Sequence, residues 1–265
     1  MLNHTIEKRQ LVKFGIVLSL LSLIMISANE LAAADDHHDR HHYQSNLLYP
    51  PDAVVFGKKM NEWSAEWWQY ILSTPSNPNP LLDLTGNNCT LVQYGPVWFF
   101  EGLSGVSGTG PANPVVTRTC SIPENTALFF PLINAVNYNT TDQPIRELRA
   151  QIAGCIRAAN NLSLSVDGRP ISSKDLSRLR VRSVPFVAVF PVGGVPAIPP
   201  TPAGIYSPSV DDGYYAMLRP LSIGQHTVRF TAATPGCDHA PTGLHVPGWH
   251  LDVTYNLTVK PVVLK

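Results

Sequence analysis

The feature that most constrains this chain is its last strand-like segment, HLDVTYNLTVK (250–260). Leu251, Val253, Tyr255, Leu257 and Val259 fall on one side of an extended chain, and His250, Asp252, Thr254, Asn256 and Thr258 on the other. Side chains alternate at period two along a strand. The segment therefore predicts a strand with one dry face and one wet face, the pattern of an antiparallel sheet covered on one side. The 24 prolines and 18 glycines among 265 residues fall in short turn clusters between apolar runs, which suits many short strands better than a helical bundle. The expected fold is mainly β: an antiparallel β-sandwich, immunoglobulin-like or jelly-roll-like, with one or two packed helices.

Two segments have helical rather than strand periodicity. In residues 57–72, Met60, Trp63, Trp67, Tyr70 and Ile71 project to one side at ~100° per residue, with Lys58, Glu62, Glu66 and Gln69 opposite. Trp68 projects about 80° from Met60, at the edge of that stripe, and is the candidate ligand-facing aromatic. Glu62 and Glu66 sit one turn apart on the polar side and read as exposed carboxylates rather than an acid/base pair. Residues 145–159 form the second predicted helix, on Ile145, Leu148, Ile152, Cys155 and Ile156.

The remaining runs read as strands. GPVWFFEG (95–102) and VVTRTCSI (115–122) flank a Gly/Ser-rich loop and predict a hairpin. ENTALFFPLINAV (124–136) is a third strand whose Pro131 implies an edge position or a bulge. Asp167-Gly168 in LSLSVDGRPI signals a tight hairpin turn. Residues 178–192, 213–221 and 224–232 complete the set, with 193–208 as a surface connection. His226 shares strand parity with Val228 and Phe230 and is expected to be a hydrogen-bonded structural histidine.

The N-terminus has the three parts of an export signal: Lys8, Arg9 and Lys13, then the apolar run Phe14–Ile26, then Ala32-Ala33-Ala34. The run is 13 residues long, against the ~20 needed to cross a bilayer. Residues 1–34 are thus read as a signal peptide, 35–50 as a His-rich flexible tail and 51–265 as a single β-rich domain. The expected location is secreted, periplasmic or extracellular, with no transmembrane span in the mature chain. All four cysteines, Cys89, Cys120, Cys155 and Cys237, lie in the exported part and suggest two disulfides. Three connectivities are open; Cys89–Cys120 with Cys155–Cys237 is preferred. With 19 basic and 19 acidic residues, the chain carries no electrostatic footprint for nucleic acid.

EWWQYILSTPSNPNPLLDLTGNNC, GPVWFFEG, TRTCSIPENTALFFPLIN, DGYYAMLRPLSIGQHTVRF and VTYNLTVK together resemble a family of exported bacterial proteins without an assigned activity. The resemblance covers most of residues 61–260. It implies an intact exported domain and brings over no catalytic residues.

Two polar clusters are candidate sites. A mature chain starting Asp35-Asp36-His37 offers an amine, two backbone amides and an imidazole, a square-planar nitrogen set suited to Cu(II) or Ni(II). His38, His41 and His42 add imidazoles. A second-choice metal or active-site cluster is His239, His245 and His250 with Asp252, although its spacing follows no zinc pattern. Trp98, Trp249 and Tyr214 are candidate glycan platforms. Asn88, Asn139, Asn161 and Asn256 each open an N-x-S/T triplet, a glycan acceptor only in a eukaryotic secretory route. G-x-S-x-G, H-E-x-x-H and phosphate-loop motifs do not occur. The functional expectation is an exported, non-enzymatic binding or envelope-associated protein, with metal ion or glycan as ligand. The alternative is an extracellular hydrolase or metal-dependent enzyme acting on an envelope polymer through the 236–250 loop.

Overall fold

A computed structural model describes residues 47–102, 115–195, 201–239, 244–246 and 248–262. The predicted export segment and the Asp35–His42 tail lie outside these residues. The compact unit begins at Leu47, within the segment expected to be tail: Leu48 bridges Leu218, and the Tyr49 N–H donates to the Met217 carbonyl. Buried Leu47 and Leu48 supply the apolar anchor that ties this stretch down.

The fold is a sandwich of two five-stranded sheets with a helix on the outside of the first. The first sheet has the order β3(Val97–Phe99), β5(Ala127–Tyr138), β10(Gly204–Leu218), β8(Arg180–Arg182), with β9(Phe186–Phe190) also on β10. The second has the order β4(Val115–Pro123), β14(Trp249–Lys260), β11(Gly224–Thr234), β6(Asn160–Val166), β7(Arg169–Pro170). Small two-stranded pairs, β1(Val54–Val55) with β2(Lys58–Lys59) and β12(Cys237–His239) with β13(Leu244–Val246), complete the strands. Among the described residues there are two long helices, α1(Met60–Ser73) and α2(Ile145–Arg157), and the single turn α3(Ser173–Ser177).

The sandwich is mixed rather than wholly antiparallel. β3 runs parallel to β5, and β4 runs parallel to β14. The hairpin expected from 95–122 therefore does not form: β3 and β4 belong to different sheets. Strand character was correctly legible there, but partner choice depends on residues far away in sequence. Pro131 lies in β5 beyond Phe129, the last residue paired with β3, so its β3 side is locally an edge. The bulge adjoins it as well, since Tyr214 pairs with Ile133 and Tyr215 with Pro131, leaving Leu132 extra. Asp167 (φ 52) and Gly168 (φ 74) make the expected tight turn between β6 and β7.

One core lies between the sheets, where Phe100, Phe130, Phe230 and Tyr255 meet the aliphatic inner faces. A second lies between the first sheet and α1, where Trp67 packs near Tyr215 and Trp63 near Phe99. β5 serves both, which explains its continuous apolar run ALFFPLI. α1 ends where the Thr74 hydroxyl donates to the Tyr70 carbonyl and the Asn79 amide caps the carbonyls of Ile71 and Thr74. The two disulfides are Cys89–Cys120 and Cys155–Cys237, the preferred pairing. No helix among the described residues is long and apolar enough to cross a membrane.

Candidate functional site

Trp68, the candidate ligand-facing aromatic, lies in the core under α1. It is 8% exposed, edge-on to Trp67 with ring centroids 4.9 Å apart. The apolar arc of α1 is wider than the projected stripe because Ser64 and Ala65 are buried as well, β9 closing over that flank. Trp98, Trp249 and Tyr214 are partly buried against the central core, so none lies as a free platform. The Trp98 indole N–H donates to the Cys89 carbonyl. Glu62 accepts from the Lys59 N–H at the start of α1, and Glu66 pairs with Lys58. His226 is hydrogen-bonded as expected, 2.8 Å from Asp167.

Two carboxyl centres that sequence reasoning missed lie inside the molecule. The first is Glu101, just past β3 where the chain leaves the first sheet. Arg118 Nη1 donates to the carbonyls of Glu101 (2.6 Å) and Gly102 (3.0 Å) and to the Tyr255 hydroxyl (2.8 Å). Its Nε donates to the Asp83 carbonyl at 2.7 Å. One inward-pointing arginine on β4 thus ties the residues just past β3 to the second sheet. The Tyr255 hydroxyl is 3.1 Å from Glu101 Oε2. Burial raises the Glu101 carboxyl to about 7 against the lowering effect of the Arg118 charge. Burial, then the Glu101 charge, also raises the Tyr70 hydroxyl.

The second centre is Asp211 on β10, fully buried beneath α1. The Tyr215 hydroxyl donates to its Oδ1 at 3.0 Å and accepts from Asn134 Nδ2 at 2.9 Å. Asp211, Gly213 and Tyr215 share one face of the strand, and the tyrosine ring lies back over the glycine. A Cβ on Gly213 would come 2.8 Å from Tyr215 Cε2 and 2.6 Å from Asn134 Cβ. Desolvation pushes Asp211 up to about 7, opposed by hydrogen bonds from Ser64 and Tyr215. Its neighbour Asp212 instead pairs with Arg180 and Arg182. The sequence signal for both centres is an acidic residue inside an apolar strand context, WFFEG and SVDDGYY. Both can hold a proton near neutral pH. At 1% and 0% exposure, neither presents it to a ligand arriving from solvent.

The histidine cluster is only partly described. The β12–β13 register sets Asp238 opposite His245 and His239 opposite Leu244, while His250 pairs with Ala233. Asp252 gives both oxygens to Arg229, at 2.9 and 2.6 Å, and this bond lowers its carboxyl below the usual range. Among the described residues no three His, Cys, Asp or Glu side chains converge as a metal site.

Among the described residues no element covers the outer face of the second sheet. Alternation puts Thr117, Thr119 and Ser121 of β4 beside Thr254, Asn256 and Thr258 of β14, in consecutive registered pairs. Across β14, Thr254 pairs with Arg229, Asn256 with Thr227 and Thr258 with Gln225. β6 adds Ser165 opposite Arg229 and Ser163 opposite Thr231. Neighbouring strands are ~4.8 Å apart and alternate residues ~6.8 Å apart, so the hydroxyls form ranks across the sheet. Part of the array bonds internally: Ser163 to Thr231 at 2.7 Å, and Gln225 to Thr258 at 3.0 Å. Thr117, Thr119, Thr227, Thr254 and Asn256 have no side-chain hydrogen bond among the described residues, which leaves their donors and acceptors to solvent or to a ligand.

Fold and site together define a disulfide-bonded mixed β-sandwich with a helix over one sheet and a hydroxyl-rich open face on the other. Comparison of the chain with protein-family models, curated proteins and solved structures finds no match.

Proposed function

We propose that this chain is an exported, non-enzymatic binding protein of the cell envelope, whose ligand meets the open face of the second sheet. The observation that carries the reading is the contrast between its polar groups. The carboxyls with raised pKa are sealed in the core, whereas the hydroxyls and amides without internal partners are ranked on an outer surface. Catalytic groups need access to substrate as well as a suitable pKa, and here the two properties are separated. The two disulfides fit an oxidising compartment, and the predicted export signal leads to the same place.

Incubation with isolated envelope polymer tests this. The protein should leave solution with the polymer and release no soluble fragments. Fragment release would return the reading to a hydrolase, with the 236–250 loop as first suspect.

The tail adds a separate metal-binding proposal: Asp35, Asp36 and His37, supported by His38, His41 and His42, capture Cu(II) or Ni(II). Copper titration of a chain beginning at Asp35 should show a tight site that disappears when residues 35–42 are removed. Equal affinity after removal would refute it.

A further inference from the structure

We infer that the open face of the second sheet is a docking surface for a neutral, polyhydroxylated polymer chain, that is, a polysaccharide without charged groups. The inference rests on the binding reading above and specifies its ligand.

Charge is the first support. The middle of the face carries one cation and one anion, Arg229 and Asp252, and they are bonded to each other. Lys260 stands at one end of β14. Such a surface offers no net attraction to a polyanion, whose binding depends on clustered unpaired cations. The second support is hydrogen-bond capacity. A threonine hydroxyl both donates and accepts, and the Asn256 amide does the same through separate atoms. A sugar hydroxyl has the same dual character, so an array of this kind can pair with it in either sense. The third is apolar content. Among the described residues no exposed large apolar side chain stands at the centre of the face; Val115 stands at its corner, opposite Asp252. A lipid or hydrophobic protein surface would have little to bury there.

Order also favours an extended ligand. Thr117, Thr119, Thr254, Asn256 and Thr227 sit on three adjacent strands in continuous register. β-branched threonines have few χ1 choices in a strand, so little side-chain freedom is lost on binding. An extended chain can reach hydroxyls on several strands at once, and many weak contacts on one chain add through effective concentration.

The experiment is a depletion isotherm of the full chain, with both disulfides formed, on microcrystalline cellulose, chitin and cross-linked polygalacturonate. Binding to cellulose or chitin, little changed by added salt, supports the inference. Thr117→Val, Thr119→Val and Thr254→Val combined remove three hydroxyls at nearly constant shape and should weaken binding ~10-fold or more. The matching triple Thr→Ser variant keeps the hydroxyls and should bind within ~3-fold of the parent, so a loss caused by misfolding is separable. Binding only to polygalacturonate, or undiminished binding by the valine variant, would overturn the inference. Fragment release from a polymer still bound through this face would instead overturn the non-enzymatic reading alone.

Discussion

Asp211→Asn measures the free energy of enclosing an ionisable carboxyl beneath α1. Burial pushes Asp211 from 3.8 to about 7, while in the unfolded chain it titrates near ~3.9. Below about pH 3.5 both states carry the proton, and the group makes no difference to stability. Between about pH 4 and 7 the unfolded chain releases its proton first, so this group's contribution falls as pH rises. A gap of about three pH units at ~1.4 kcal/mol per unit gives a loss of about 4 kcal/mol by pH 8. Glu101, raised to about 7, slopes the same way in both proteins and cancels when the variant is compared with the parent. Asparagine keeps an oxygen for the Tyr215 hydroxyl and cannot ionise. Urea melts every half pH unit from 3.5 to 8 should show the stability of Asp211→Asn relative to the parent rising by about 4 kcal/mol. A difference that stays constant within ~1 kcal/mol across that range would refute the raised pKa and the buried-acid account of this centre.

Other outcomes follow from packing and covalent links. Trp67→Ala empties the core between α1 and the first sheet and loses the indole bond to the Phe100 carbonyl; denaturant melting should register a loss of ~3–5 kcal/mol. Gly213→Ala should destabilise by ~1–3 kcal/mol, because the methyl collides with Asn134 and Tyr215; thermal melting checks it, and a neutral result would mean the tyrosine does not lie over the glycine. Breaking Cys155–Cys237, which spans 82 residues, should cost ~4–5 kcal/mol, and breaking Cys89–Cys120, which spans 31, ~3–4 kcal/mol. Paired Cys→Ala variants compared by urea melting give that order, and the reverse order would contradict the loop-length account.

Local patterns were readable wherever a segment's own period decides its structure. The alternation of 250–260 gave the dry and wet faces of β14, and the 3.6-residue period gave both long helices within a few residues. Pairing was less accessible. Nothing within 95–122 says that β3 joins β5 and β4 joins β14, because those partners lie up to about 140 residues away and are chosen by the shared core. The burial of Trp68 was hidden for a similar reason: a helical projection treats one packing surface, whereas α1 also packs against β9. Glu101 and Asp211 were overlooked because a strand-embedded carboxylate looks like an exposed one until its tyrosine and arginine neighbours arrive from other strands. The hydroxyl array was half visible, since Thr254, Asn256 and Thr258 were already on the wet side of the last strand. Its breadth required the register with β4, β11 and β6.

The most direct test of the open face as the binding site is a threonine-methyl NMR footprint with a soluble neutral oligosaccharide. The methyls of Thr117, Thr119, Thr227 and Thr254 should shift on titration, while those of buried Thr74, Thr126 and Thr234 stay fixed. Shifts confined to threonines elsewhere, or no shift at saturating ligand, would contradict the assignment of the face.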